Sequence, residues 1–313
     1  MPDTNLPALP KFRDPDITAK GERRASVSLG RLDTLWFNTG TLCNVTCRNC
    51  YIESSPRNDR LAYLTLDEVR AYLDEIARDC LGTRSIGFTG GEPFMNPALP
   101  SMLELVLDRG FAALVLTNAM QPMRKMRDRL LPLGRFGASL TIRVSIDHYT
   151  PKVHEQERGA RSWAPTIEGL RWLAEQGFRI HVASRRFTAE TEEELRAGFA
   201  RLFGELDVPI DARDSVALTL FPEMDLSVDV PEITEACWGI LHKSPSDVMC
   251  ASSRMVVKRK DASSPAVVAC TLLPYDPAFE LGPTLRDATA DVKLNHPHCA
   301  KFCVLGGAAC SRG

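Results

Sequence analysis

From about residue 32 onward, short β-rich runs alternate with stretches of helical periodicity, after a polar, proline-bearing lead that ends near Leu29. The runs at 32–38, 84–88, 112–117, 140–146, 179–184 and 216–221 read as strands. Between the first two, Thr65-Leu66-Asp67-Glu68 forms a capping box. It opens a helix whose apolar stripe is Val69, Tyr72, Leu73, Ile76 and Cys80, which makes Cys80 a small core residue. Leu99, Leu103, Val106 and Leu107 form a second helical face ending at Gly110. Ile167, Leu170, Leu173 and Ala174 form a third between Pro165 and Gly177, and Leu195, Phe199, Leu202 and Phe203 a fourth that stops at Gly204. Such alternation predicts an α/β fold of parallel strands joined by crossover helices. Past Glu223 the pattern changes to proline-punctuated loops, with runs at 255–258 and 266–269 that read as two arms of a β-hairpin. That hairpin would draw Cys250 and Cys270 together.

A chain of 313 residues with 44% hydrophobic composition can bury a large core. Its formal net charge of -2 gives no global basic field to attract nucleic acid or anionic lipid. No apolar run approaches the roughly 20 residues needed to cross a bilayer, and residues 1–20 lack the apolar core of a secretory signal. The expectation is a soluble, cytoplasmic protein with neither nucleic-acid nor membrane partners. The ten cysteines are then reduced thiols, clustered as metal ligands are.

Cys43, Cys47 and Cys50 stand at CxxxCxxC spacing directly after the first strand, and Thr89-Gly90-Gly91-Glu92-Pro93 follows the second. Three thiolates on one loop can hold three irons of a 4Fe-4S cluster and leave the fourth open to a small molecule. The same spacing alone could also supply three ligands of a structural zinc site completed by a distant Cys or His. The two motifs in this order resemble the radical S-adenosylmethionine (SAM) superfamily. That resemblance implies a partial (β/α)6 TIM-like barrel in which SAM chelates the open iron. It also implies cleavage of SAM to methionine and a 5′-deoxyadenosyl radical that removes hydrogen from a substrate, and a low-potential electron donor such as flavodoxin or ferredoxin. Gly90 and Gly91 would let backbone approach the ligand, and Glu92 would offer a carboxylate to the SAM amino group. Asn118 ends the third strand with a polar group. The stretch Ser145-Ile146-Asp147, Val153-His154-Glu155, Arg158-Gly159 is similar to one in peptide- and sulfatase-modifying radical SAM enzymes. The matching Ser and Asp there hold SAM, which implies that role for Ser145 and Asp147. Arg158 and Arg161 are candidates for the SAM carboxylate, while His154 reads as structural. Before the third cysteine, where the family carries an aromatic, stands Asn49, with Tyr51 just after the loop.

The remaining cysteines, Cys237, Cys250, Cys270, Cys299, Cys303 and Cys310, resemble the auxiliary-cluster regions called SPASM or twitch. Pro265 replaces a hairpin glycine and the usual four-cysteine run is missing, which favours one auxiliary 4Fe-4S cluster over two. Cys250, Cys270, Cys299 and Cys303 are the expected ligands, with Cys310 next and Cys237 unligated. A zinc site would satisfy the same thiolates, and His296 or His298 could replace one. The implied organisation is an extension over 1–30, the barrel over 31–225 and an auxiliary-cluster region over 226–313. The implied activity is a radical SAM oxidoreductase acting on a peptide or small molecule. A two-cluster electron-transfer protein is the alternative, although an electron carrier needs no nucleoside pocket. With only a short N-terminal extension in place of a winged-helix module of about 80 residues, a peptide's leader would be recognised by another protein, or else the substrate is small.

Overall fold

The computed structural model describes residues 10–223 and 225–307. Among the described residues its main sheet contains nine strands, and the six expected from the sequence run side by side to one edge. With β1 as the short strand Ser26–Val27, these six are β2 (Thr34–Asn38), β3 (Ser85–Thr89), β4 (Ala112–Thr117), β5 (Leu140–Ser145), β6 (Arg179–Arg186) and β7 (Leu218–Pro222). Each pairs in parallel with the next, as a partial barrel requires. The crossovers carry α1 (Leu66–Arg78), α2 (Leu99–Asp108), the short α3 (Gln121–Lys125) and α4 (Arg127–Leu130), α5 (Pro151–Arg158), α6 (Trp163–Glu175) and α7 (Glu192–Leu206). The capping box is present at the start of α1, where Thr65 Oγ1 accepts from the Glu68 N–H and Glu68 accepts from the Thr65 N–H. Thr191 and Glu194 repeat it at α7.

Alternation along the strands divides the interior in two. Leu35 and Phe37 of β2, with Ala113 and Val115 of β4, face the helices and share one core with Val69, Leu73, Leu103, Leu170 and Phe199. Trp36 and Leu114, pointing the other way, join a second core with Met255, Leu272, Phe302 and Val304. Successive strand residues point to opposite faces, so the inner face of the open barrel is filled by the chain's C-terminal region.

The hairpin expected after Glu223 is present as β8 (Ser253–Val257) and β9 (Ala266–Val268), extended by β10 (Glu280–Gly282). Expected as a separate module, it instead continues the barrel sheet, because β8 pairs in parallel with β2. There are thus seven parallel strands rather than six. The last strand, β11 (Val292–Lys293), pairs antiparallel with β1, and Arg24 meets Glu232 at 2.6 Å, so the described part of the N-terminal stretch is tied to the C-terminal region. A one-turn helix, α8 (Cys237–Ile240), and a wider, π-type turn over Cys299–Leu305 complete the described residues. No helix among the described residues is long and apolar enough to cross a membrane.

Three local expectations are revised. α1 ends at Arg78, and Cys80 lies beyond it, exposed and at φ 51°, instead of on the buried stripe. Gly204 does not stop α7, which continues to Leu206 and ends where Asp207 turns left-handed at φ 54°. Arg161 is exposed at φ 66° and lines neither cysteine cavity.

Candidate active site

At the carboxyl ends of the parallel strands lies a cleft of ≈ 940 Å³, counting the space at its mouth. Cys43, Cys47 and Cys50 all line it, together with Gly90, Gly91, Asn118, Ser145, Asp147 and Arg158. The cysteine loop is zipped to the turn after β3: Gly91 N–H donates to Gly40 at 2.9 Å and Glu92 N–H to Leu42 at 3.1 Å. This packing is what demands the glycine pair. A Cβ on Gly90, which sits at φ +139°, would meet the Gly40 carbonyl at 2.4 Å, and one on Gly91 would meet the Leu42 carbonyl at 2.2 Å. The close approach is first of all to the cysteine loop, and only then to a ligand.

Glu92 differs from its expected place. It is 2% exposed and lies behind the cleft lining. Its carboxylate accepts from Thr117 Oγ1 at 2.8 Å, Asn118 N–H at 2.8 Å and Phe94 N–H at 3.1 Å. Burial pushes its pKa up to about 7 against these hydrogen bonds. Glu92 therefore clasps the ends of β3 and β4 instead of presenting a free carboxylate to the cleft. Asn118, fixed by that clasp, donates to Asn44 Oδ1 at 2.9 Å and so steadies the cysteine loop.

On the opposite wall Asp147 is held between two arginines, Arg158 at 2.8 Å and Arg185 at 3.2 Å. Burial pushes its pKa up, yet the two guanidiniums outweigh this and hold it down at about 2. Arg185 also meets Glu157 at 2.9 Å and donates to the Asn49 carbonyl at 3.3 Å, tying β6 to the cysteine loop. Arg185 was not among the site residues expected from the sequence. Its signal was its position at the carboxyl end of a barrel strand, where side chains converge on the ligand. Apolar surface comes from Val45, Ile52, Leu116 and Phe221, with Tyr51 and Asn49 both on the lining. A flat base could pack there. Burial raises the Cys43 thiol to about 12, helped by the Glu92 charge, and raises Cys47 despite Arg158. A metal loading this loop must displace those protons.

The second cysteine set also converges. Cys250, Cys270, Cys299 and Cys303 line one cavity of ≈ 370 Å³, mouth included, with His298 beside them. Burial raises Cys250 to about 11 and Cys270 and Cys299 well above the usual thiol range, with neighbouring thiols adding to the last two. Among the described residues no three His, Cys, Asp or Glu groups are gathered as a metal site, here or at Cys43, Cys47 and Cys50. Cys310 falls outside the described residues. Cys237 lies apart from the cavity, its sulfur accepting from the Thr234 N–H at 3.3 Å. Tyr275 connects the two regions by donating to the Ile52 carbonyl at 2.8 Å, two residues past Cys50, while Arg60 lies over its ring.

Residues 37–197, just over half the chain, match the profile of the radical SAM superfamily. The chain belongs to the radical SAM superfamily. Its members use a 4Fe-4S cluster and SAM, and the three thiols, the glycine cradle and the open cleft of this radical SAM protein fit both. Over 146 residues it is 30% identical to the antilisterial bacteriocin subtilosin biosynthesis protein AlbA of Bacillus subtilis, covering 46% of this chain and 31% of AlbA. Its fold is similar to that of Streptococcus suis SuiB bound to S-adenosylmethionine, with TM-score 0.59 at 12% identity over 80% of this chain and 63% of SuiB. It is also similar to anSMEcpe with bound AdoMet, with TM-score 0.60 at 14% identity over 84% of this chain and 81% of that one. The chain thus spans about a third of AlbA and under two thirds of SuiB. SuiB has also been solved with precursor peptide SuiA, and anSMEcpe with the Cp18Cys peptide.

Proposed function

We propose that this radical SAM enzyme oxidises or cross-links a peptide, with one auxiliary 4Fe-4S cluster held by Cys250, Cys270, Cys299 and Cys303. The observation that carries the reading is the convergence of these four thiols on one cavity beneath the barrel that presents Cys43, Cys47 and Cys50. Four thiolates would equally satisfy a single zinc at bonds of about 2.3 Å, so metal and sulfide analysis separates the two occupants. When bound, the first cluster and SAM supply a 5′-deoxyadenosyl radical for hydrogen abstraction. The chain's own residues orient and enclose. Ser145 and the Asp147–Arg158 pair stand where SAM's polar groups would be held, and Tyr51, Leu116 and Phe221 offer a dry wall for its base.

A peptide is favoured by the peptide ligands of SuiB and anSMEcpe and by the open mouth of the cleft. A second groove, lined by Arg48, Glu157, Phe187 and Glu223, adjoins that mouth and shares Asn49 with the cleft, leaving room for an extended chain. The test is anaerobic reconstitution with iron and sulfide analysis and a SAM-cleavage assay. Replacing Cys43, Cys47 and Cys50 by Ala should abolish 5′-deoxyadenosine formation while about four irons per chain remain. Parental cleavage by that variant would refute the first site, and stoichiometric zinc without acid-labile sulfide would refute the second.

A further inference from the structure

Arg254 lies one residue after the start of β8 and is 1% exposed. Its guanidinium is anchored entirely by backbone carbonyls: Nε donates to Ala288 at 2.8 Å, Nη1 to Ser253 at 2.9 Å and to Cys250, and Nη2 to Ala290 at 3.4 Å. Arg24 is buried to the same degree but has Glu232 at 2.6 Å. Among the described residues Arg254 has no carboxylate within ion-pairing distance. Its link to the second cysteine site is geometric, through the Nη1 bond to the carbonyl of Cys250, whose thiol lines the cavity. A buried, unpaired cation is costly, and carbonyl dipoles orient a guanidinium without neutralising it. Placed beside a cavity ringed by four thiols, such a cation is matched to an anionic occupant.

Resting on the auxiliary-cluster reading above, we propose that Arg254 is the built-in counter-cation of the second cysteine site. It favours loading of an anionic iron-sulfur cluster there and raises that cluster's reduction potential. The cluster gains one negative charge when it accepts an electron, so a fixed neighbouring cation stabilises the reduced form more than the oxidised one. Net charge and hydrogen bonding are among the quantities that set such potentials. Arg254 is a positioning residue: it meets the site through the Cys250 backbone and through its charge, and contacts no substrate.

The experiment uses the full chain with Cys43, Cys47 and Cys50 replaced by Ala, reconstituted with iron and sulfide, so that only the second site reports. Arg254→Gln removes the charge while retaining some hydrogen bonding, and Arg254→Lys keeps the charge while losing most of the carbonyl contacts. In a redox titration followed by electron paramagnetic resonance, Arg254→Gln should change the oxidised-to-reduced ratio at fixed potential at least tenfold toward the oxidised form, a fall of 59 mV or more for one electron. Arg254→Lys should stay closer to the parental value. Loss of iron from Gln alone, with Lys loaded, would equally support the counter-charge. Equal shifts in both variants, iron loss from both, or unchanged potentials with iron intact would overturn it in favour of a loop anchor. Absence of acid-labile sulfide in the triple-Ala background would instead overturn the auxiliary-cluster reading, and this proposal with it.

Discussion

His154 is fully buried on α5, edge-on to Trp163 at 5.4 Å, with neither ring nitrogen hydrogen-bonded. Burial, with Arg158 adding, lowers its pKa from 6.5 to about 4. The unfolded chain therefore binds this proton before the folded one does. The stability tied to neutral His154 is complete above about pH 6.5 and is lost as pH falls through 4. Urea unfolding of the parental chain should accordingly lose roughly 3 kcal/mol more than His154→Phe between pH 7 and pH 4. Parallel pH profiles for the two would contradict that. Asp147→Asn acts on the neighbouring network, stripping Arg158 of its carboxylate while Arg185 keeps Glu157. Breaking a buried ion pair of this kind costs about 3–5 kcal/mol, read as a lowered unfolding midpoint. SAM affinity by calorimetry should fall tenfold or more, with iron content near parental.

The zipped pair of loops after β2 and β3 behaves as one element, and Gly91→Ala tests it. The added methyl meets the backbone carbonyl of Leu42, which cannot rotate away, so the loops must separate. Thermal unfolding should drop, and iron retention by the first site should fall with it; parental values of both would show the contact to be dispensable. Strands β2 to β5 were legible because each is a largely apolar, largely buried run as parallel strands are, while β6 and β7 carry polar or half-exposed positions and were read from the alternation of elements. The cysteine loop and its glycine partner were legible because spacing and order are local properties. The pairing of β8 with β2 was not, since an isolated run at 255–258 predicts a hairpin arm but not which strand lies on its far side. Cys80 was misplaced because periodicity alone does not mark the cap at Asp79, and Gly204 because a helix tolerates an interior glycine at about 1 kcal/mol. Glu92 owes its partners to its own turn and to the end of β4, and Arg185 to four separate segments, which no single stretch of sequence reveals.

One sheet carries both cysteine sites, since β2 leads into the first loop and its neighbour β8 follows Cys250. Chemical unfolding should therefore be one cooperative transition reported alike by tryptophan fluorescence and by far-ultraviolet circular dichroism, whereas two separated transitions would show that the regions fold apart. At the far edge of the sheet, Phe221 of β7 stacks on Phe302 at 5.3 Å, in the turn between Cys299 and Cys303. The same Phe221 lines the first cleft. That ring is shared masonry: whatever stiffens the turn behind it stiffens the wall in front. An occupant of the rear cavity should then alter SAM affinity, and any such coupling would be reciprocal by the same factor. Calorimetric SAM titrations before and after the rear cavity is emptied by Cys299→Ala and Cys303→Ala would measure that factor, and Phe302→Ala should reduce it to one.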